Sequence, residues 1–174
     1  VVDFGADKKG KKDSSKAIQK ALDYAIDNGS NSVQIKVVVP KGKYRIDKLL
    51  EIYSNTWLYL EDGATIVRNF DKGCMIKNAQ ANGAGGYGSE RNIVIEGGCW
   101  DGNPSSTSRP FSNMRFGHMK NLWIKNVEIK NNYNGHHVEI GGVKGITIED
   151  CDFHGYTGTF QKEAIQLDTI SNSD

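Results

Sequence analysis

The sequence predicts a right-handed parallel β-helix, three short strands to each coil, with one amphipathic α-helix capping its N-terminal end. Three observations carry that prediction. Three segments in the second half align with one another without a gap, and a fixed repeat of this size marks a stacked architecture. Only one stretch of the chain has helical periodicity. The remaining apolar residues alternate with polar ones in short runs bounded by Gly, Asn, Asp or Lys, the signature of short strands joined by tight turns.

The helix comes first. Asp13 or Ser14 offers a side-chain oxygen to an orphan backbone N–H, as an N-cap does. Ala17, Ile18, Ala21, Leu22, Ala25 and Ile26 recur on one face, while Lys16, Gln19, Lys20, Asp23 and Asp27 occupy the other. Gly29 follows Asn28 as the stop, so a helix over about 14–28 buries one face and wets the other. The period then changes. Strand-like stretches follow at Val33–Val39, Tyr44–Ile46, Leu49–Ile52, Thr56–Leu60 and Ala64–Val67.

The repeat is read from Asn92-Ile-Val-Ile-Glu-Gly-Gly-Cys-Trp100, Asn121-Leu-Trp-Ile-Lys-Asn-Val-Glu-Ile129 and Gly145-Ile-Thr-Ile-Glu-Asp-Cys-Asp-Phe153. The apolar columns are Ile93/Leu122/Ile146, Ile95/Ile124/Ile148 and Trp100/Ile129/Phe153. Val94/Trp123/Thr147 and Cys99/Glu128/Asp152 fall between them. Alternation sends the first set inward and the second outward. Met114-Arg-Phe116, Val138-Glu-Ile140 and Ile165-Gln-Leu167 add a third strand to each coil.

One such coil cannot bury its own apolar face, and stacking the coils gives a continuous core. A stack leaves strand edges at both ends, which must be covered. The helix covers the first. Thr169–Asp174 offers no comparable cover, so residues 1–174 are expected to be one domain, the N-terminal part of a longer β-helix, or to meet a further chain at that open end.

Composition narrows the function classes. The 22 Lys and Arg balance 21 Asp and Glu, which lacks the basic excess of a nucleic-acid footprint. No apolar run approaches the ~18 residues of a membrane span. Cys74, Cys99 and Cys151 are an odd set and no disulfide framework; Cys151 reads as a small apolar filler. The chain opens Val1-Val2-Asp3-Phe4 without Met, which suggests an upstream segment.

Specific motifs sharpen this. Val2-Asp-Phe-Gly-Ala-Asp7, Asp13-Ser-Ser-Lys-Ala-Ile-Gln-Lys-Ala21 and Val38-Val-Pro-Lys-Gly-Lys-Tyr44 resemble the N-terminal signature of the pectate-lyase-like superfamily. Gly97-Gly-Cys-Trp-Asp-Gly-Asn103 with Arg109-Pro110 resembles the polygalacturonase-type glycoside hydrolases in particular. The resemblance implies a carbohydrate-active β-helix that is part of a secreted polysaccharide-degrading enzyme, a glycoside hydrolase or else a lyase, located outside the cell or at a cell surface; a phage or virion surface is the setting of the rival class. In those hydrolases a catalytic carboxylate lies in an Asn-Thr-Asp-Gly-Ile-Asp segment. The matching stretch is Gln161-Lys-Glu-Ala-Ile-Gln166, which puts Glu163 at the catalytic position and retains Ile165.

Strand phase yields the remaining candidates. The outward columns of the third strands are Asn113/His137/Ala164, Arg115/Glu139/Gln166 and Gly117/Gly141/Asp168. With strands ~4.8 Å apart, Arg115, His137, Glu139, Gln166 and Asp168 form one polar patch. Glycoside hydrolysis uses two carboxyl groups ~5–9.5 Å apart, a separation open to Glu139 with Asp168 or Glu163 with Asp168. Arg115 beside Glu139 favours its charged form and hence a base or a binding role. Arg115, His137, Gln166 and Trp123 are the candidate sugar-binding residues, Trp123 by stacking.

His136 and His137 are expected on opposite faces and so not on one metal. No metal or cofactor is expected, and a lyase variant would need an acidic calcium cluster that is not evident. Gly83-x-Gly85-x-x-Gly88 matches the dinucleotide fingerprint only formally, lacking its strand before and helix after. Asp101-Gly102-Asn103 reads as a turn. The rival class is a non-catalytic glycan-binding or structural β-helix, such as a phage tail-spike stem or a surface adhesin. The direction of Glu163, Glu139 and Asp168 discriminates: if they diverge, binding wins over hydrolysis.

Overall fold

The structure is a computed structural model that describes residues 1–79 and 85–168. A strand, β1 (Lys9–Asp13), precedes the helix α1 (Ser15–Asn28). The first coil is β2 (Ile35–Val39), β3 (Gly42–Ile46) and β4 (Leu50–Ile52). The second is β5 (Thr56–Leu60), β6 (Ala64–Arg68) and β7 (Ile76–Asn78), and the third β8 (Arg91–Glu96), β9 (Cys99–Asp101) and β10 (Met114–Gly117). Then come β11 (Lys120–Lys125), β12 (Glu128–Lys130) and β13 (Val138–Gly141), and finally β14 (Lys144–Glu149), β15 (Asp152–His154) and β16 (Ile165–Asp168).

Each coil sends one strand to each of three parallel sheets, ordered β2-β5-β8-β11-β14, β1-β3-β6-β9-β12-β15 and β4-β7-β10-β13-β16. The chain is a right-handed parallel β-helix, as expected.

Alternation builds the core. Val37, Leu58, Ile95, Ile124 and Ile148 stack in register on one sheet. Tyr44, Ile66, Trp100, Ile129 and Phe153 stack on the second. Leu50, Ile76, Met114, Val138 and Ile165 stack on the third. Through the middle coils these side chains are fully buried, and each adds roughly 1.5–3 kcal/mol of burial to the stack. At the last coil the core opens: Leu167, in the inward column of Phe116 and Ile140, is 67 % exposed. The C-terminal stretch Thr169–Asp174, expected to give no cover, lies outside the described residues.

The helix covers the other end with Ala17, Ile18, Ala21, Leu22 and Ala25. Its Gln19 also satisfies the edge strand: Oε1 accepts from the Glu51 amide at 2.9 Å and Nε2 donates to the Glu51 carbonyl at 2.9 Å. A side chain thereby takes the place of the missing neighbour strand. Ser14 is the N-cap residue, but the capping oxygen is Asp13 Oδ1, which accepts from the Ser15 amide at 2.8 Å.

At the stop, Gly29 is extended (φ −85°) and its N–H reaches the Ala25 carbonyl. A Cβ there would lie 2.7 Å from that oxygen, so close approach, not a left-handed backbone, selects glycine. Ile26 departs from the expected stripe. It is 54 % exposed, because the buried arc ends at Ala25.

Two strands escaped the sequence pattern. β1 is Lys-Gly-Lys-Lys-Asp and has no apolar alternation, since it pairs with β3 at the rim. β7 has three residues, too few to show a period. The first coil begins at Ile35, not Val33, which belongs to a turn bridged by Ser30. All three cysteines are free. Of the glycine-rich stretch, Gly83 lies outside the described residues. Gly85–Gly88 lead directly into β8 with no helix after them, which excludes the dinucleotide geometry.

Candidate functional site

The third sheet carries the candidate site on its outer face. Register aligns Glu51, Lys77, Arg115, Glu139 and Gln166 in one outward column across five strands. Charges alternate along it. Lys77 Nζ lies 3.1 Å from Glu51 Oε1, and Arg115 Nε lies 3.2 Å from Glu139 Oε1. The expected Arg115/Glu139/Gln166 and Gly117/Gly141/Asp168 columns are present in register.

A cleft of about 340 Å³ opens beside Glu139, lined by Phe111, Ser112, Asn134, His136, Lys162 and Gln166 among others. One wall is built by the turn between β9 and β10. There Phe111 bridges Tyr133 and presents the Ser112 hydroxyl, which donates to Glu139 Oε2 at 3.1 Å and accepts the His136 amide at 3.1 Å. Both Glu139 oxygens are therefore engaged. Arg115 and Ser112 hold the carboxylate in one orientation, at the wall of the cleft.

That wall is pinned from behind by Arg68. Its fully buried guanidinium lies 4.2 Å from the Phe70 ring and 4.0 Å from the Phe111 ring, and donates to Ser106 Oγ at 3.0 Å and to the Gly73 carbonyl. Burial lowers its pKa to about 10, so it stays cationic at neutral pH.

The other two carboxylates are not among the residues that line the cleft. Glu163 has a side chain 73 % exposed, with Oε2 3.6 Å from His136 Nδ1, while its backbone carbonyl lies 2.9 Å from the same nitrogen. Asp168 is exposed on β16, its Oδ1 3.4 Å from Gln166 Nε2. Among the described residues Glu139 is the one carboxylate lining this cleft.

His137 and Asn113 correct the expected outward column. Both are buried. They precede the first residues of β13 and β10, so they sit at coil corners where strand alternation no longer sets direction. His137 packs edge-on to Phe153, with ring centroids 5.9 Å apart, and its Nε2–H donates to the His154 carbonyl at 2.9 Å. Burial pushes its pKa down, and the ring sits inside the corner instead of on the outward face where a sugar contact was expected. His136 is likewise buried, but its ring turns to the Glu163 carbonyl at the edge of the cleft while that of His137 turns to His154 and Phe153, so the two are directed apart.

Trp123 faces solvent as expected, at 37 % exposure, but from β11 on a different sheet. It is no part of the Glu139 cleft. Trp100 is core. Ser112, Lys162 and the Glu51–Lys77 pair were not visible in the sequence. Ser112 lies outside any strand, and the pair depends on β7.

A second polar cluster lies on the outer face of the β9-β12-β15 sheet. Glu128 Oε1 is 2.9 Å from both Lys130 Nζ and His154 Nε2. The Lys130 hydrogen bond, seconded by His154, holds the Glu128 carboxyl down at about 2. Among the described residues no group of His, Cys, Asp and Glu is arranged to hold a metal ion.

The three-sheet coil with a polar outward cleft defines a pectate-lyase-like β-helix. The chain belongs to the family described as rhamnogalacturonase A/epimerase, pectate lyase-like, which matches residues 1–172. A relative is plasmin and fibronectin-binding protein A of Streptococcus pneumoniae, 29 % identical over 203 residues, covering 98 % of this chain and 27 % of the relative. The structure of the surface protein and adhesin PfbA of Streptococcus pneumoniae superposes with TM-score 0.79 at 24 % identity, over 94 % of this chain and 44 % of that one. A family 28 exopolygalacturonase of Yersinia enterocolitica superposes with TM-score 0.76 at 18 % identity, over 95 % and 40 %. Both likenesses speak to the fold alone. The chain spans under half the length of each of these proteins.

Proposed function

We propose that this chain is a glycan-binding β-helix domain, with the cleft beside Glu139 as the place where a polysaccharide lies. The observation that carries this reading is the state of the cleft's carboxylate. Glu139 is tied by Arg115 at 3.2 Å and by Ser112 at 3.1 Å, and no second carboxylate among the described residues lines the cleft with it. An acid/base mechanism needs two carboxyl groups addressing one bond. Binding needs what is present: a shaped cleft with polar groups held in place at Glu139 and Asn134 and further polar side chains at Lys162 and Gln166. A second PfbA structure, described as a surface adhesin of Streptococcus pneumoniae and 25 % identical to this chain, supports a cell-surface setting for such a domain.

Hydrolysis is the second reading, and one relationship favours it. Asp168 is two residues beyond the Gln166 that pairs with Glu139, so the Glu139 and Asp168 backbones are ~8 Å apart by strand spacing and rise. From that backbone spacing the two side chains could bring their carboxyl groups to the ~6.5–9.5 Å of inverting glycosidases. The test is a panel of polysaccharides, read both for binding and for reducing-end release, with the chain and its Arg115→Ala and Glu139→Gln variants. The binding reading expects retention on at least one glycan, weakened about tenfold by Arg115→Ala, with no reducing ends. Retention indifferent to both substitutions would sink it. Release abolished by Glu139→Gln would install the hydrolase in its place.

A further inference from the structure

We propose a second carbohydrate surface, separate from the Glu139 cleft: a groove on the outer face of the β2-β5-β8-β11-β14 sheet, where a neutral pyranose chain stacks on Trp57 and Trp123. This surface does not depend on the function proposed for Glu139.

The groove follows from register. Trp57 on β5, Val94 on β8 and Trp123 on β11 are direct neighbours in one outward column. Two strand spacings separate the indoles, ~9.6 Å, a span on the scale of a disaccharide. Val94, smaller than either neighbour, leaves a dip between two raised platforms. The resulting groove encloses about 620 Å³, nearly twice the volume at Glu139.

Both indoles have unused binding capacity. Trp123 is flanked along its strand by fully buried Leu122 and Ile124, yet is 37 % exposed, and among the described residues no ring or cation stacks on it. Trp57 carries the Lys36 ammonium 3.9 Å and the Lys125 ammonium 5.8 Å from its ring centroid. Its Nε1–H is enclosed and has no hydrogen-bond acceptor. An enclosed donor without a partner is uncommon and calls for an explanation. Lys36, exposed and in no ion pair among the described residues, covers the ring; when it swings aside a sugar can reach the indole and bring an oxygen to that donor.

The rim identifies the chemistry. Around the indoles stand Asn31, Gln34, Asn92 and the hydroxyls of Ser30 and Ser32. A pyranose ring offers a flat C–H face ringed by hydroxyls, which matches an aromatic platform edged by amides and hydroxyls. The charges about the groove are Lys36 and Lys125 against Glu149 and Glu96, the last paired with Lys125 at 3.3 Å; two of each sign cancel, so the surface favours a neutral chain over a carboxylated one.

The test titrates the chain with neutral hexasaccharides (β-1,4-glucan, α-1,4-glucan, β-1,4-xylan and β-1,4-mannan) and with an α-1,4-galacturonan hexamer. Tryptophan fluorescence reports the groove directly and calorimetry gives the affinity. At least one neutral hexasaccharide is expected to bind. Trp123→Ala should weaken it about tenfold, Trp123→Phe should retain most of it, and Glu139→Gln should leave it unchanged. Should a tryptophan variant unfold, Val94→Gln, which fills the dip with a polar group, is expected to give the same loss in a folded chain. The proposal is overturned by failure of every neutral hexasaccharide to bind, or by binding that survives both Trp57→Ala and Trp123→Ala. Binding confined to the galacturonan, or a Trp123-dependent dimer in sedimentation, would also overturn it. Loss through Glu139→Gln alone would assign the sugar to the other cleft.

Discussion

Asn92 Nδ2 donates to Asn55 Oδ1 at 2.9 Å, one coil below it, and the two residues share a left-handed backbone, φ 56° and φ 60°. Asn121 continues the series, donating to Asn92 Oδ1 at 2.9 Å from φ 57°. The three middle coils thus turn the corner into β5, β8 and β11 with the residue type that best combines a left-handed backbone and a lateral hydrogen bond, and Gly145 takes the place at β14. Asn92→Ala removes two side-chain bonds and forces alanine into that region. The expected cost is about 2 kcal/mol, from roughly 1 kcal/mol of backbone strain and the remainder from hydrogen bonds that are partly exposed. Asn92→Gly should cost less, since only the bonds are lost. Urea unfolding of the three chains checks the order.

Arg68 is the buried support of the Glu139 cleft. Arg68→Ala leaves Ser106 without a donor and opens a void between Phe70 and Phe111, for an expected loss of about 3 kcal/mol. Loosening should concentrate in the turn at 103–111, which Arg68 pins. Limited proteolysis with subtilisin should therefore cut that turn in the variant under conditions that leave the parent chain whole. Arg68→Lys restores the charge but neither the planar stack nor the paired donors to Gly73, and it should protect the turn only partly.

The coil architecture was legible because burial writes a period into the chain. Leu122 and Ile124 alternate with Trp123 against the same pattern in Ile93-Val94-Ile95, and no other arrangement of those residues hides the aliphatics on one side. The candidate site was half legible for the same reason. Arg115, Glu139 and Gln166 lie inside strands and keep their phase. His137 and Asn113 lie one residue before their strands begin, where a turn, not the pleat, directs the side chain. The cleft wall at Ser112 depends on the Phe111–Tyr133 bridge and on Arg68, contacts between residues far apart in the chain that leave no local pattern.

His137 ties stability to pH. Burial lowers its pKa below the ordinary 6.5, and the bond to the His154 carbonyl only partly opposes this. At pH above 6.5 both folded and unfolded chains hold it neutral, and it exerts no pH effect. As pH falls below 6.5 the unfolded chain takes up a proton that the fold resists, so stability drops until the folded-state pKa is passed. Facing it are His136, its neighbour in the chain, and His154 on the next coil, which further disfavour a charge on His137. His137→Gln keeps an amide donor for the carbonyl and should flatten the fall between pH 7 and pH 5. Melting temperatures of the two chains across that range make the comparison; parallel slopes would remove His137 as the cause.

The thiols test the core from a third direction. Burial pushes the Cys74 thiol up to about 11, and burial with the Glu128 hydrogen bond pushes Cys99 up to about 12; burial raises Cys151 as well. Only the thiolate attacks a disulfide reagent. At pH 8 all three should therefore resist Ellman's reagent in the folded chain, and all three should react at once in denaturant. Glu128→Gln removes the carboxylate that opposes ionisation at Cys99 without opening the core. That variant should speed labelling at Cys99 alone and leave Cys74 and Cys151 as slow as before. Equal acceleration at all three would mean instead that the substitution had loosened the stack.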